Sequence, residues 1–125
     1  MKAKAKGKKS VTVAARSQIG IMTAAGIPID FEIKLVAPPA NTAPALRVVA
    51  GTEINVPLSS TDNKTWNGGI SAVAGTVLHI FAASRVNKGG SMTITIKEPG
   101  FNYPPIKVEP VKGRCAVGPI KYPVG

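Results

Sequence analysis

The stretch IDFEIKLV, residues 29–36, decides the fold. Ile29, Phe31, Ile33 and Leu35 alternate strictly with Asp30, Glu32 and Lys34. Successive side chains of a strand point to opposite sides, so this order makes one apolar and one charged face. A half-buried β-strand is the expected result. Pro38-Pro39 stops it, because proline cannot donate to a ladder and restricts the residue before it.

Reading outward, the same period recurs. Val11–Ala15 and Ile19–Thr23 are short β-prone runs on the N-terminal side. Leu46–Val49 leads through Ala50-Gly51 into Thr52–Leu58, where Ile54, Val56 and Leu58 share a face and Pro57 suggests an edge or a bulge. Residues 70–86 are ambiguous, since Ile70, Val73, Ala74, Val77, Leu78, Phe81 and Ala82 also fit helical spacing. Two strands meeting at Gly75 are the preferred reading. Glycine inside a helix costs about 1 kcal/mol, and the segment is rich in Val, Ile and Thr. Val73-Ala74-Gly75-Thr76 also repeats Val49-Ala50-Gly51-Thr52, 24 residues earlier. Val77–Val86 and Ser91–Lys97 flank Asn87-Lys88-Gly89-Gly90 and read as a hairpin. From Pro99 onward, where 6 of the 11 prolines lie, Ile106, Val108, Val117 and Ile120 offer short strands.

The composition agrees. Among the 125 residues, 12 Ile and 13 Val stand against 4 Leu, a balance that favours strands over helices. The expected architecture is all-β: one antiparallel two-layer β-sandwich over residues 11–125, immunoglobulin-like or similar, because two half-apolar sheets must cover each other. Residues 1–10 form a separate lysine-rich tail. It holds nothing apolar larger than alanine except Met1, so it is expected to stay disordered in isolation.

Charge and residue type narrow the function. The formal net charge is +10, and five of those charges are Lys2, Lys4, Lys6, Lys8 and Lys9. One Cys makes no internal disulfide, and one His with one Cys does not supply a tetrahedral zinc site. No cofactor or metal is expected, and no apolar run is long enough for a membrane-spanning helix. No apolar core follows the basic N-terminus, so a secretory signal is not indicated; the default expectation is a cytoplasmic protein, or one exported by a route that leaves no N-terminal trace.

No pattern of a catalytic centre emerges. His79 lies among Leu78, Ile80 and Phe81 without a carboxylate nearby in sequence, and reads as a strand histidine. Cys115 follows Lys112 and Arg114, which would favour its thiolate, but no base is tied to it; a small, exposed thiol is expected. Asp30 and Glu32 share a face with Lys34 and read as a solvated surface.

Two binding features remain. The polar stretch Ser59–Gly69 reads as a loop with an Asn67-Gly68 turn. It groups Asp62, Asn63, Lys64, Trp66 and Asn67, a set that suits a glycan or base contact, but the preferred reading is a long hairpin loop with Trp66 folded back as a lid on the core. The second feature is polyanion attraction by the five tail lysines, joined by Lys112, Arg114 and Lys121 of the C-terminal quarter. The expected role is a non-enzymatic binding or assembly module. Its partner would be an acidic protein, nucleic acid or anionic surface, with homo-oligomer formation through exposed edges as a further route. A sequence-nonspecific nucleic-acid binder and a glycan-binding module are the alternatives.

Overall fold

The computed structural model describes Val13–Ala15 and residues 26–125. The lysine tail and the Ile19–Thr23 run lie outside the described residues. Ten strands are described: β1 (Val13–Ala15), β2 (Ile27–Val36), β3 (Ala45–Ala50), β4 (Thr52–Asn55), β5 (Thr65–Ala72), β6 (Val77–Arg85), β7 (Ser91–Glu98), β8 (Phe101–Asn102), β9 (Ile106–Val108) and β10 (Arg114–Pro123).

They form an antiparallel two-layer sandwich. In sheet A the order is β1-β5-β2-β7-β8, with β9 also paired to β7; in sheet B it is β10-β6-β3-β4. The alternation of β2 explains the packing. Ile29, Phe31, Ile33 and Leu35 are buried, together with Ile70, Met92, Ile94 and Ile96 of the same sheet. Across the core stand Leu46, Val48, Leu78, Ile80, Cys115 and Tyr122 of sheet B. Each fully buried aliphatic side chain contributes about 1.5–3 kcal/mol of transfer free energy, so this double layer is the main source of stability.

The strand reading of residues 70–86 holds, with Gly75 at φ +89 in the turn between β5 and β6. The two V-A-G-T elements nonetheless do different work. Around Gly51 the chain makes a hairpin within sheet B, where Ala50 pairs Thr52; around Gly75 it crosses from sheet A to sheet B.

Three expectations need correction. Val77–Val86 and Ser91–Lys97 are not a hairpin: β6 pairs β3 and β10, whereas β7 pairs β2, β8 and β9. Asn87–Gly90 crosses between the layers instead. The Asn87 amide donates to the Ala37 carbonyl at 2.7 Å, and a Cβ on Gly90 would stand 2.4 Å from the Val36 carbonyl oxygen. That second glycine serves close approach rather than a tight reversal. The loop after Ser59 is also shorter than its composition suggests, since β5 begins at Thr65 and includes Trp66, Asn67, Gly68 and Gly69. Finally, the strand expected over Thr52–Leu58 is shorter, since β4 ends at Asn55, although it does lie at an edge of sheet B as Pro57 suggests.

In sheet B, β6 and β3 are the inner strands and β10 and β4 the edges, whereas β7, which follows β6 in the chain, lies in sheet A beside β2. The chain therefore reaches β10 only after visiting sheet A again.

Candidate anion-binding face

The outer faces of the two sheets differ in charge. On sheet A, Asp30 is registered opposite Lys97, and Glu32 and Lys34 follow it on the same face of β2. Acids and bases are balanced there. Sheet B collects cations, for reasons of register. β6 buries Leu78, Ile80, Ala82 and Ser84, which sends His79, Phe81, Ala83 and Arg85 outward. β3 buries Leu46, Val48 and Ala50, which sends Arg47 outward, and β10 buries Cys115, which sends Arg114 and Ala116 the same way.

Pairing sets these side chains in rows across the strands. Arg114 stands opposite Arg85; the next row is Ala116, Ala83 and Ala45; the third contains Phe81, Arg47 and Asn55. The small middle row leaves a shallow cavity of about 660 Å³ between the arginine row and Phe81. A second depression of about 510 Å³ shares Ala45, Ala83 and Arg114, and extends to Arg85 and Lys112. The two adjoin at those shared residues, and the arginine and phenylalanine rows lie about 13 Å apart by strand rise.

Local structure fixes the components. The Arg47 guanidinium carbon lies 4.4 Å from the centre of the Phe81 ring, and Glu53 approaches Nη1 of Arg47 at 3.6 Å. Below Phe81, β10 carries a bulge: Gly118 and Pro119 fall between the pairs Val117–Ala82 and Ile120–Ile80. Gly118 has φ +142, and a Cβ there would stand 2.5 Å from Cδ2 of Phe81. The bulge thus admits the ring because its first residue lacks a side chain. At the other end, Lys112 and Gly113 form a two-residue turn with φ +54 and +75, the pattern of a type I′ hairpin. The Val86 amide donates to the Gly113 carbonyl at 2.9 Å and ties that turn to β6.

The chain has six acidic side chains, and among the described residues no ion pair joins one of them to Arg85, Lys112 or Arg114. Glu53 is with Arg47, and Glu109 pairs Lys107 at 3.5 Å. Glu98 accepts from the Tyr122 hydroxyl at 2.7 Å and from the Gly125 amide, while Asp30 and Glu32 face outward from sheet A.

Asp62 is taken up by its own loop. Its Oδ1 accepts from the Lys64 and Thr65 amides at 2.8 Å each, and from the Ser60 hydroxyl at 3.1 Å. The Thr65 amide above all, then that of Lys64, holds this carboxyl below the usual carboxylate range.

Of the residues singled out from sequence, Lys112 and Arg114 lie in the cavity wall. Lys121 is on the same face but beyond Phe81, opposite His79. Lys2, Lys4, Lys6, Lys8 and Lys9 lie outside the described residues. The second group is dispersed: Asp62, Asn63 and Lys64 are exposed in the loop, and Asn67 is in β5, bridged to Ser59. Trp66, registered opposite Ile33, is half-buried against the core, and its indole nitrogen is buried without a hydrogen-bond partner. A ring turned inward offers no platform for a sugar.

Cys115 differs from expectation. It is fully buried and its thiol donates to the Val108 carbonyl at 3.5 Å. Burial, followed by the Glu109 charge, pushes the thiol up, so the flanking cations do not activate it.

Arg47, Phe81 and Arg85 were not singled out from sequence. The available signal was parity: Phe81 and Arg85 alternate with Leu78, Ile80 and Ala82, and an aromatic residue on the outward parity of a strand marks a surface. No group of three or more His, Cys, Asp and Glu converges among the described residues, and no helix there is long and apolar enough to cross a membrane. No protein family matches the chain, and neither a curated protein nor a solved structure is similar to it.

Proposed function

We propose that this chain is a binding module for an anionic polymer, with the outer face of sheet B as its contact surface. The observation that carries this reading is the grouping of Arg85, Lys112 and Arg114 around one depression, with none of the three in an ion pair among the described residues. Uncompensated cations on a concave surface raise the local concentration of anions and release counterions from a polyanion on contact. The five tail lysines, by their charge alone, add a second and less specific attraction.

Assembly through strand addition has weaker support. β10 is an edge of sheet B, yet it carries Pro119, Pro123 and a bulge, features that discourage pairing with another chain.

The test uses the full chain and a labelled heparin fragment, titrated by fluorescence anisotropy at low salt. Replacing Arg85, Lys112 and Arg114 together by Gln should weaken binding by at least tenfold and leave the folded far-ultraviolet spectrum unchanged. Undiminished affinity in that variant would overturn the reading, because the tail would then suffice.

A further inference from the structure

We infer that the anionic polymer is a single-stranded nucleic acid, with the Arg47–Phe81 stack as its base platform. This rests on the anion-binding reading above and adds the chemistry of the ligand. Phosphate attraction alone needs only Arg85, Lys112 and Arg114. It does not account for a guanidinium set over an aromatic ring, 4.4 Å from the ring centre, in the adjoining cavity that Arg114 also lines.

The pair is held in place: Gly118 lies against Phe81, Glu53 meets Nη1 of Arg47, and the guanidinium carbon of Arg47 sits over the Phe81 ring. The Arg47 side chain retains 42% of its exposure and lines the cavity, so a ligand lying there can reach it. Unpaired bases stack on guanidinium planes as well as on aromatic rings, and this contact is tolerant of sequence because every base has a π face. A sugar ring would instead need the bare face of Phe81, which Arg47 covers. An acidic peptide would satisfy the cations and leave the plane unused.

The spacing suits an extended strand. A base on Arg47 would place its neighbouring phosphates towards the Ala45–Ala83–Ala116 floor, with Arg114 and Arg85 on the far side. Double-stranded nucleic acid keeps its bases stacked inside the helix and cannot present one to a plane on a sheet face, so a single strand is required.

The experiment compares a labelled twelve-nucleotide oligothymidylate with an abasic oligomer of equal length and charge, and with polyaspartate, on the full chain. The thymidylate should bind about tenfold more tightly than either, since one stacked base contributes on that order. Arg47→Lys keeps the charge and removes the plane; Phe81→Leu removes the support. Each should erase most of the tenfold preference by lowering thymidylate affinity, and leave abasic affinity within about twofold. Arg47 is partly exposed, so its variant tests the stack even where Phe81→Leu proves unstable. Equal binding of thymidylate and abasic oligomer, or polyaspartate binding as tightly as thymidylate, would overturn the base platform while sparing the anion-binding face. No binding of any probe at low salt would overturn both.

Discussion

Gly68 shows how one missing methyl group organises an edge. Within β5, a Cβ at this position would stand 2.5 Å from the Pro57 carbonyl oxygen and 2.9 Å from Cδ2 of Leu58. The chain after β4 is therefore able to lie directly on β5, and Ser59 exchanges two hydrogen bonds with Asn67 beside it. Gly68→Ala is expected to destabilise the protein by about 3 kcal/mol, the upper range for overpacking against rigid neighbours. Gly89→Ala, at φ +84 with open space around it, should cost only about 1 kcal/mol. Urea denaturation of the two variants checks this order, and equal losses would contradict it. Tyr122 gives a second prediction at this scale. Burial first, then the hydrogen bond to Glu98 and that residue's charge, raise the phenol above its ordinary value of 10.0. As pH rises past 10 the unfolded chain releases this proton while the folded chain retains it, so folding stability falls. Tyr122→Phe should flatten the decline between about pH 10 and 12 relative to the parent, and lower stability at neutral pH by about 1–2 kcal/mol. An unchanged alkaline slope would show that the phenol contributes nothing there.

Among the elements, β10 and its entry turn carry the link between fold and function. Lys112 occupies a left-handed conformation that side chains with a Cβ rarely adopt, in a type I′ turn that favours asparagine before glycine. Lys112→Asn should therefore raise the denaturation free energy by about 0.5 kcal/mol and weaken polyanion binding at the same time. A binding titration beside a thermal melt checks the pair of effects; loss of stability, or unchanged binding, would contradict the role assigned to Lys112. This scale also shows where sequence is informative. β2 was legible because Asp30, Glu32 and Lys34 interrupt an apolar row at every second place. The same holds for β7, where Met92, Ile94 and Ile96 alternate with Thr93 and Thr95. The partners of those strands were not legible. Asn-Lys-Gly-Gly serves a hairpin and an inter-sheet crossing equally well, and the choice depends on Val36 and Ala37, some 50 residues earlier. Trp66-Asn67-Gly68-Gly69 carried turn composition into a strand because its glycine is needed for close approach, a contact with Pro57 that no local window contains. The site was half legible for the same reason. Lys112 and Arg114 announce themselves as charges, whereas Arg47, Phe81 and Arg85 meet them only through the register of β10, β6 and β3.

Over the whole molecule, the division of charge is the feature on which the proposed binding face rests. Sheet A keeps acids and bases together on its outer face, and sheet B gathers Arg47, Arg85, Arg114 and Lys121 with Glu53 as the one carboxylate on its own. The sandwich therefore has an electrostatic polarity that a count of +10 does not convey. For a single-stranded polyanion, each neutralised phosphate contributes about 0.7 to the slope of log affinity against log salt. Removing Arg85, Lys112 and Arg114 should thus reduce that slope by about 2, leaving the remainder to other cations, the tail lysines among them. The most direct test of the binding face is nuclear magnetic resonance of the isotope-labelled full chain, titrated with the twelve-nucleotide oligothymidylate at low salt. Amide shifts are expected to move along Ala45–Arg47, Phe81–Arg85 and Lys112–Gly118, with the outer face of sheet A unchanged. Perturbations confined to the N-terminal lysine segment, with those three stretches silent, would contradict the account.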